Sequence, residues 1–233
     1  MSNSCIGIIG AMKEEVDDII ANLTNVSTKS VCNINFYSGT IHNKNVVVAK
    51  SGIGKTNASM CATAMLLNFN PSEIIYTGIA GAIDNELKIR DVAIADKVCH
   101  HDFDTTAFGL KLGEIEGLNT IYFNCDKKIV DSLATCAKSL NIHYKIGTIT
   151  TGDQFINDSE KKIFLTKTFG AIACEMEGAA IGQVCFINKI PFAVVRAFSD
   201  KGSSDFNTSS YYDAKPDAAD MATKLVIEYL KSH

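Results

Sequence analysis

Ile6-Gly-Ile-Ile-Gly-Ala-Met-Lys-Glu-Glu15 holds the pattern that the rest of the chain repeats. A short apolar run leads through a glycine into an amphipathic stretch with acids at its head. Apolar on every position, residues 6–9 read as a strand buried on both faces, and 14–23 as a helix. Outward from this unit, residues 36–41 and 46–50 read as strands joined by a turn at His42-Asn-Lys-Asn45. Residues 56–68 form a helix of small side chains, closed by Pro71. Further strands are predicted at 74–77, 92–98, 144–150, 172–174 and 192–197, with helices at 127–140, 160–168, 178–188 and about 214–231. Two-faced apolar strands alternating with helices predict an α/β fold of three layers, a mixed and largely parallel central sheet flanked by helices. No repeat, composition break or low-complexity linker interrupts the pattern, so residues 1–233 read as a single domain.

Composition narrows the function classes. The chain is 46% hydrophobic and 21% charged, enough apolar material for a core and too much for a disordered segment. A net charge of −4 argues against a nucleic-acid grip, which needs a basic face. Its eight cysteines include no C-x-x-C pair, and six lie in apolar segments, which fits free buried thiols better than disulfides or a zinc knuckle. The amino terminus has no basic n-region, and no apolar run approaches the roughly 18–20 residues that span a bilayer. The expected location is the cytoplasm.

Ligands of open α/β sheets bind beyond the carboxyl ends of the strands. Here those ends share glycines, which let backbone approach a ligand, and acids, which supply proton chemistry. They are Gly10-Ala-Met-Lys-Glu-Glu15, Ser51-Gly-Ile-Gly-Lys55, Thr77-Gly-Ile-Ala-Gly81, Thr151-Gly-Asp-Gln-Phe155, Cys174-Glu-Met-Glu-Gly178 and Ala197-Phe-Ser-Asp200. Six such ends point to one rim-lined pocket.

Each residue also has a plain structural reading. Glu15 and Glu177 sit at helix starts, where the macrodipole favours a carboxylate. Asp200 can cap a turn, and Met176 can be core. Arg196, inside an apolar strand, wants a carboxylate partner. Ser51-Gly-Ile-Gly-Lys-Thr56 ends like a phosphate-binding loop, but Ala49 stands where G-x-x-x-x-G-K-[ST] needs glycine. Adjacent His100 and His101 do not easily present both rings to one metal, so no metal site is expected. The irregular stretches 99–120 and 200–212 are long enough to be functional.

Taken in order with Ile6–Glu15 and Ser51–Lys55, the motifs His101-Asp-Phe-Asp-Thr-Thr-Ala-Phe-Gly109, Thr151-Gly-Asp-Gln-Phe-Ile156, Glu175-Met-Glu177 and Val195-Arg-Ala-Phe-Ser-Asp200 span essentially the whole chain. As a set they resemble the 5'-methylthioadenosine/S-adenosylhomocysteine nucleosidases, of the nucleoside phosphorylase-like fold. The resemblance implies hydrolytic release of adenine from methylthioadenosine, S-adenosylhomocysteine and often 5'-deoxyadenosine, in methionine salvage and nucleoside catabolism, with no cofactor. It implies that Asp200 protonates adenine N7, that Glu15 activates the attacking water with Arg196 helping to position it, and that Glu177 accepts the ribose hydroxyls. Met176 would lie on the sugar, Phe155 would stack on adenine and the Ile156 backbone would read its edge. Ala11, Met12, Ile53, Gly81, Glu175, Ser199 and Tyr211 complete the implied substrate site. The family's homodimer implies that Thr105, Phe108 and Glu116 wall the neighbouring subunit's 5'-substituent pocket. Phe108 and Leu110 are apolar on a loop with no pattern to bury them, which independently suggests a protein contact.

Three positions depart from the family pattern. Ile79 replaces a usual serine, Glu116 an apolar residue and Arg90 a glycine. The nearest rival is a phosphorylase of the same fold, which would need a cationic cup; Arg196 and Lys55 are the candidate cations. A non-catalytic nucleoside-binding or storage protein is a second, although three acids in one pocket serve no store. A nucleotide-triphosphate switch is a third, weakened by Ala49.

Overall fold

A computed structural model describes residues 5–200 and 208–232, with the side chains of Asp200 and residues 208–211 outside that description. The opening unit forms as expected: β1 (Ile6–Gly10) is buried along its length and α1 (Lys13–Ala21) follows it. After them come β3 (Ile34–Ile41) and β4 (Lys44–Lys50), then α2 (Lys55–Phe69), which ends at Asn70 in the left-handed conformation just before Pro71. Between α1 and β3 lies β2 (Thr24–Val31), a strand absent from the sequence reading. It pairs only with β3 and is exposed along nearly its whole length, so neither face carries the apolar signal that marks the others.

β5 (Glu73–Ala82), β6 (Val92–His100) and β10 (Phe192–Asp200) run further than expected. The segment Thr77–Gly81 is therefore strand, not a loop beyond one: β10 pairs with β5 from Phe192↔Ile74 as far as Asp200↔Gly81. Ladder hydrogen bonds hold a glycine-rich segment that local propensity would release. β7 (Phe123–Asn124), α3 (Lys127–Ser139), β8 (Tyr144–Thr151), α4 (Ser159–Phe169), β9 (Ala171–Glu175) and α5 (Gly178–Asn188) follow. Asp126 and Asp158 cap α3 and α4 by accepting backbone N–H bonds in their first turns. The last helix, α6 (Thr208–Ser232), begins six residues before the expected start at 214, with Pro216 inside it where the sequence suggested a first turn.

Among the described residues the ten-stranded sheet runs β10-β6-β8-β9-β5-β1-β4-β3-β2, with β7 paired to β6 off this path, and β10 also pairs with β5. Strands β5, β10, β6, β8 and β9 thus close into a ring, while β1 to β4 extend from it as an open sheet. The sheet is mixed, as expected, but not largely parallel. The parallel pairs β1–β4, β1–β5, β5–β10, β6–β8 and β8–β9 are matched in number by antiparallel β2–β3, β3–β4, β5–β9, β6–β7 and β6–β10. Within the ring, β9 meets β5 and β6 meets β10 in antiparallel pairs. The helices pack as two groups, α2 with α5 and α6 with α1 and α3. No helix among the described residues is long and apolar enough to cross a membrane. All eight cysteines are free, six of them buried.

Candidate active site

Where the ring joins the open sheet, the strand ends enclose a cavity of about 140 Å³. The β1–α1 junction contributes Ala11, Met12 and Glu15, and the entry to α2 contributes Ile53. β5 contributes Gly81, the loop after β8 Phe155 and Ile156, and β10 Ser199. The β9–α5 junction adds Glu175, Met176 and Glu177. Ile79 and the unforeseen Ala80, Gln154 and Cys174 complete the wall. Arg196 lies beneath it, fully buried. Thr105, Phe108 and Glu116 do not reach this cavity; Phe108 is 84% exposed on a short 3-10 turn. The β10 backbone brings Asp200 opposite Gly81, at the rim, while its side chain and that of Tyr211 lie outside the described residues.

The three glutamates look alike in sequence and differ in what their oxygens have left to accept. A carboxylate has about four acceptor positions. Glu175 takes Thr151 Oγ1 and the Gly178 N–H (3.0 Å) on Oε1, and the Glu177 N–H (3.1 Å), the shared Gly178 N–H (2.8 Å) and Arg196 Nη2 (2.6 Å) on Oε2, so neither oxygen has a position left. Its place is structural: it anchors the guanidinium and the head of α5. Glu15 takes the N–H groups of Ala11 (2.6 Å) and Met12 (2.9 Å) on Oε2 and of Ile79 (3.0 Å) on Oε1. One oxygen caps the helix from its third position, while Oε1 keeps one acceptor position. Glu177 takes the Gly54 N–H on Oε1 (2.7 Å) and the Tyr76 hydroxyl on Oε2 (2.7 Å). One position remains on each oxygen, which suits two adjacent hydroxyl donors.

Burial raises the pKa of Glu15, against the pull of Arg196 and three N–H groups. Glu177 is pushed up to about 7, by burial first and by neighbouring Glu175 second, with Arg196 opposing. Arg196 Nη1 stands 3.8 Å from Glu15 Oε1 and Nη2 3.7 Å from Glu177 Oε2, so one cation serves three carboxylates. The second cation is committed elsewhere: Lys55 Nζ pairs with Asp102 Oδ1 at 2.6 Å. The head of α2, where a phosphate-binding loop would hold its anion, is occupied from within the chain. Its Gly54 N–H goes to Glu177, and its Lys55 N–H goes to Asp153 Oδ1 at 2.8 Å. His100 Nε2 meets Gln183 Oε1 at 3.0 Å, whereas His101 packs against Gly152, so the two rings do not share a ligand.

Residues 5–231 match the family model of the phosphorylase superfamily. The 5'-methylthioadenosine/S-adenosylhomocysteine nucleosidase of Staphylococcus haemolyticus is 40% identical over 97% of this chain and 99% of its own. The chain belongs to this nucleosidase family. Among solved structures, the Neisseria meningitidis nucleosidase bound to methylthio-immucillin-A superposes with a TM-score of 0.94, at 32% identity over 99% of this chain and 100% of that one. The futalosine hydrolase of Helicobacter pylori also gives 0.94, at 31% identity over 99% of both chains.

Against the nucleosidase pattern, Ile79 offers its backbone where a serine hydroxyl was expected: its N–H holds Glu15 and its side chain faces the cavity. Arg90, in a glycine position, has φ +76° and ties down two neighbours, donating its N–H to Phe198 and pairing its guanidinium with Asp217 of α6. Two members of the site escaped the sequence reading. Tyr76 read as one more apolar strand residue, yet its hydroxyl holds Glu177 and its ring lies on Arg196. Gly78 read as loop, yet its missing side chain is the space that Glu15 and Arg196 fill. A polar-capable aromatic directly after Ile74 and Ile75 in a buried strand was the available signal for the first.

Proposed function

We propose that this chain hydrolyses the N-glycosidic bond of 5'-methylthioadenosine and S-adenosylhomocysteine, and of 5'-deoxyadenosine, to adenine and the 5'-substituted ribose. The observation that carries the reading is the acceptor count: Glu15 has one open position, Glu177 has two, and Glu175 has none. A single open acceptor on a carboxylate of raised pKa suits a base that takes one proton from water. A pair of open acceptors suits a vicinal diol. The positive charge that develops on the sugar in glycoside cleavage is stabilised by acids around it.

In this mechanism Asp200 donates a proton to adenine N7, so that the base leaves neutral. Phe155, half exposed at the cavity mouth, stacks on the purine, and the Ile156 backbone reads its edge. Arg196, buried and out of reach of a ligand, acts by holding Glu15 and Glu175 rather than by touching substrate. Water is favoured over phosphate as the attacking group because Arg196, Lys55 and the head of α2 are already engaged with carboxylates. The finer reading is a cytoplasmic, single-domain protein that works as a homodimer, with Thr105, Phe108 and Glu116 walling the partner's 5'-substituent pocket. The high exposure of Phe108 supports that arrangement.

The test is product analysis. Purified protein incubated with methylthioadenosine should release adenine equally with and without phosphate, and the sugar product should be the free 5'-methylthioribose. A sugar 1-phosphate as main product in phosphate buffer would overturn the hydrolase reading.

A further inference from the structure

Tyr76 sits in the middle of β5 with no exposed surface, and its phenol touches two charged groups of the site at once. The hydroxyl donates to Glu177 Oε2 at 2.7 Å. The ring centroid lies 3.8 Å from the Arg196 guanidinium carbon, a close cation–π contact in a desolvated place. Arg196 Nε and Nη1 make no hydrogen bond among the described residues, so the Glu175 ion pair and the covering Tyr76 ring are the close contacts that hold the guanidinium. The guanidinium is itself fixed by Glu175, which is fixed by Thr151 and the head of α5. A chain of contacts therefore sets the direction of one O–H bond.

We propose that Tyr76 is a positioning residue for sugar recognition: clamped by Arg196, its hydroxyl holds Glu177 turned so that one acceptor on each oxygen faces the ribose diol. This rests on the nucleosidase reading of the site. The charged and titratable groups facing Glu177 are Glu175 on β9, Arg196 on β10 and Tyr76 on β5, with Glu15 on α1 across the guanidinium. Of these, Glu175 disfavours a charge on Glu177, while Arg196 and the Tyr76 hydrogen bond favour it. Burial holds the phenol well above its ordinary pKa, so Tyr76 stays a donor throughout the working range. Without that donor, Glu177 takes up its proton at higher pH, and a protonated carboxyl has lost an acceptor for the diol.

Tyr76→Phe tests this, since it keeps the ring, its volume and its contact with Arg196. Wild type and variant are compared with methylthioadenosine for kcat, KM and the pH dependence of kcat/KM, and with adenine as an inhibitor lacking the sugar. The expected result is a KM raised about tenfold at pH 7, as for a lost hydrogen bond to a charged group. The acid limb of kcat/KM moves to higher pH, kcat at high pH changes little, and the adenine inhibition constant is unchanged. Equal weakening of adenine and nucleoside, a fall in kcat with KM constant, or an unmoved acid limb would each overturn the proposal. A thermal melt confirms that the variant is folded. If the wild type itself releases no adenine, the nucleosidase reading fails first, so the two failures are distinguishable.

Discussion

Replacing Gly78 with alanine puts a methyl group into the space that Glu15 and Arg196 occupy. The new Cβ would lie 2.5 Å from Glu15 Cδ, and closer still to Glu15 Oε1 and Arg196 Nη1, where ordinary contact begins near 3.4 Å. The overlap is therefore at least 3.4 − 2.5, or 0.9 Å. Neither neighbour is free to yield, because three backbone N–H groups hold Glu15 and Glu175 with the Tyr76 ring holds Arg196. Overpacking of this kind costs about 1–3 kcal/mol, and stranding a buried charge about 3–5 kcal/mol. Taking about 3 kcal/mol as the outcome, a domain of this size melts roughly 6–12 °C lower. Displacement of the base by about 1 Å lowers turnover about 100-fold. Scanning calorimetry and adenine release at saturating methylthioadenosine measure the two effects. Gly170→Ala is the control: φ there is +65°, but no atom lies within 4 Å, so it costs about 1–2 kcal/mol and leaves turnover alone. Gly78→Ala melting within about 2 °C of wild type, with turnover within a few-fold, would refute the packing argument.

Glu15→Gln should lose about 10²–10⁴-fold in turnover, since the amide cannot take a proton from water and must turn its NH₂ toward an N–H donor; adenine release measures it. The raised pKa of Glu177, about 7 against 4.5, means that the folded protein keeps a proton the unfolded chain has lost. Its contribution to stability therefore falls as pH rises from 4.5 to 7, and melts across that range should fall less steeply for Glu177→Gln. Phe108→Ala should raise KM for methylthioadenosine while sparing adenine inhibition. Mixing it with Asp200→Asn and allowing subunit exchange should restore a fraction of the activity, and no recovery despite proven exchange counts against the shared pocket.

The apolar strands and most helices were legible because their pattern is local. Residues 7–9, 46–49 and 192–195 are apolar on both faces, and the structure buries them on both. β2 was illegible because an exposed edge strand needs no apolar face: Thr24–Val31 pairs with β3 through its backbone, with a polar link from the Thr24 hydroxyl to Thr40. The ring was illegible because β5–β10 and β5–β9 join residues more than ninety apart, and no local periodicity reports such a partner. At the site, the family resemblance gave Glu177 the ribose hydroxyls and placed Glu175 among the other substrate contacts, but no local pattern in Glu175-Met-Glu177 shows how the two differ. The chain changes from strand to helix between them, which turns Glu175 inward onto Arg196 and leaves Glu177 at the mouth of α5. The resemblance pointed to Glu177 as the sugar ligand; the partners of each oxygen add that Glu175 is an anchor.

β5 is the seam of the molecule, sharing hydrogen bonds with β1, β9 and β10. Those partners are made at opposite ends of synthesis. β1 is ready once the ribosome has passed residue 82, but β10 and the helix that packs over it emerge more than a hundred residues later. Until then one edge of β5 is bare, Arg196 does not yet exist, and the carboxylate of Glu15 has no cation beside it. A nascent chain thus passes through a stage in which an apolar strand edge and a buried-to-be acid stand open together. Such long-range pairing is slow to form and prone to wrong partners in the interval. A fragment that ends before β10 lacks Arg196 and Asp200, and with them the cation beside Glu15.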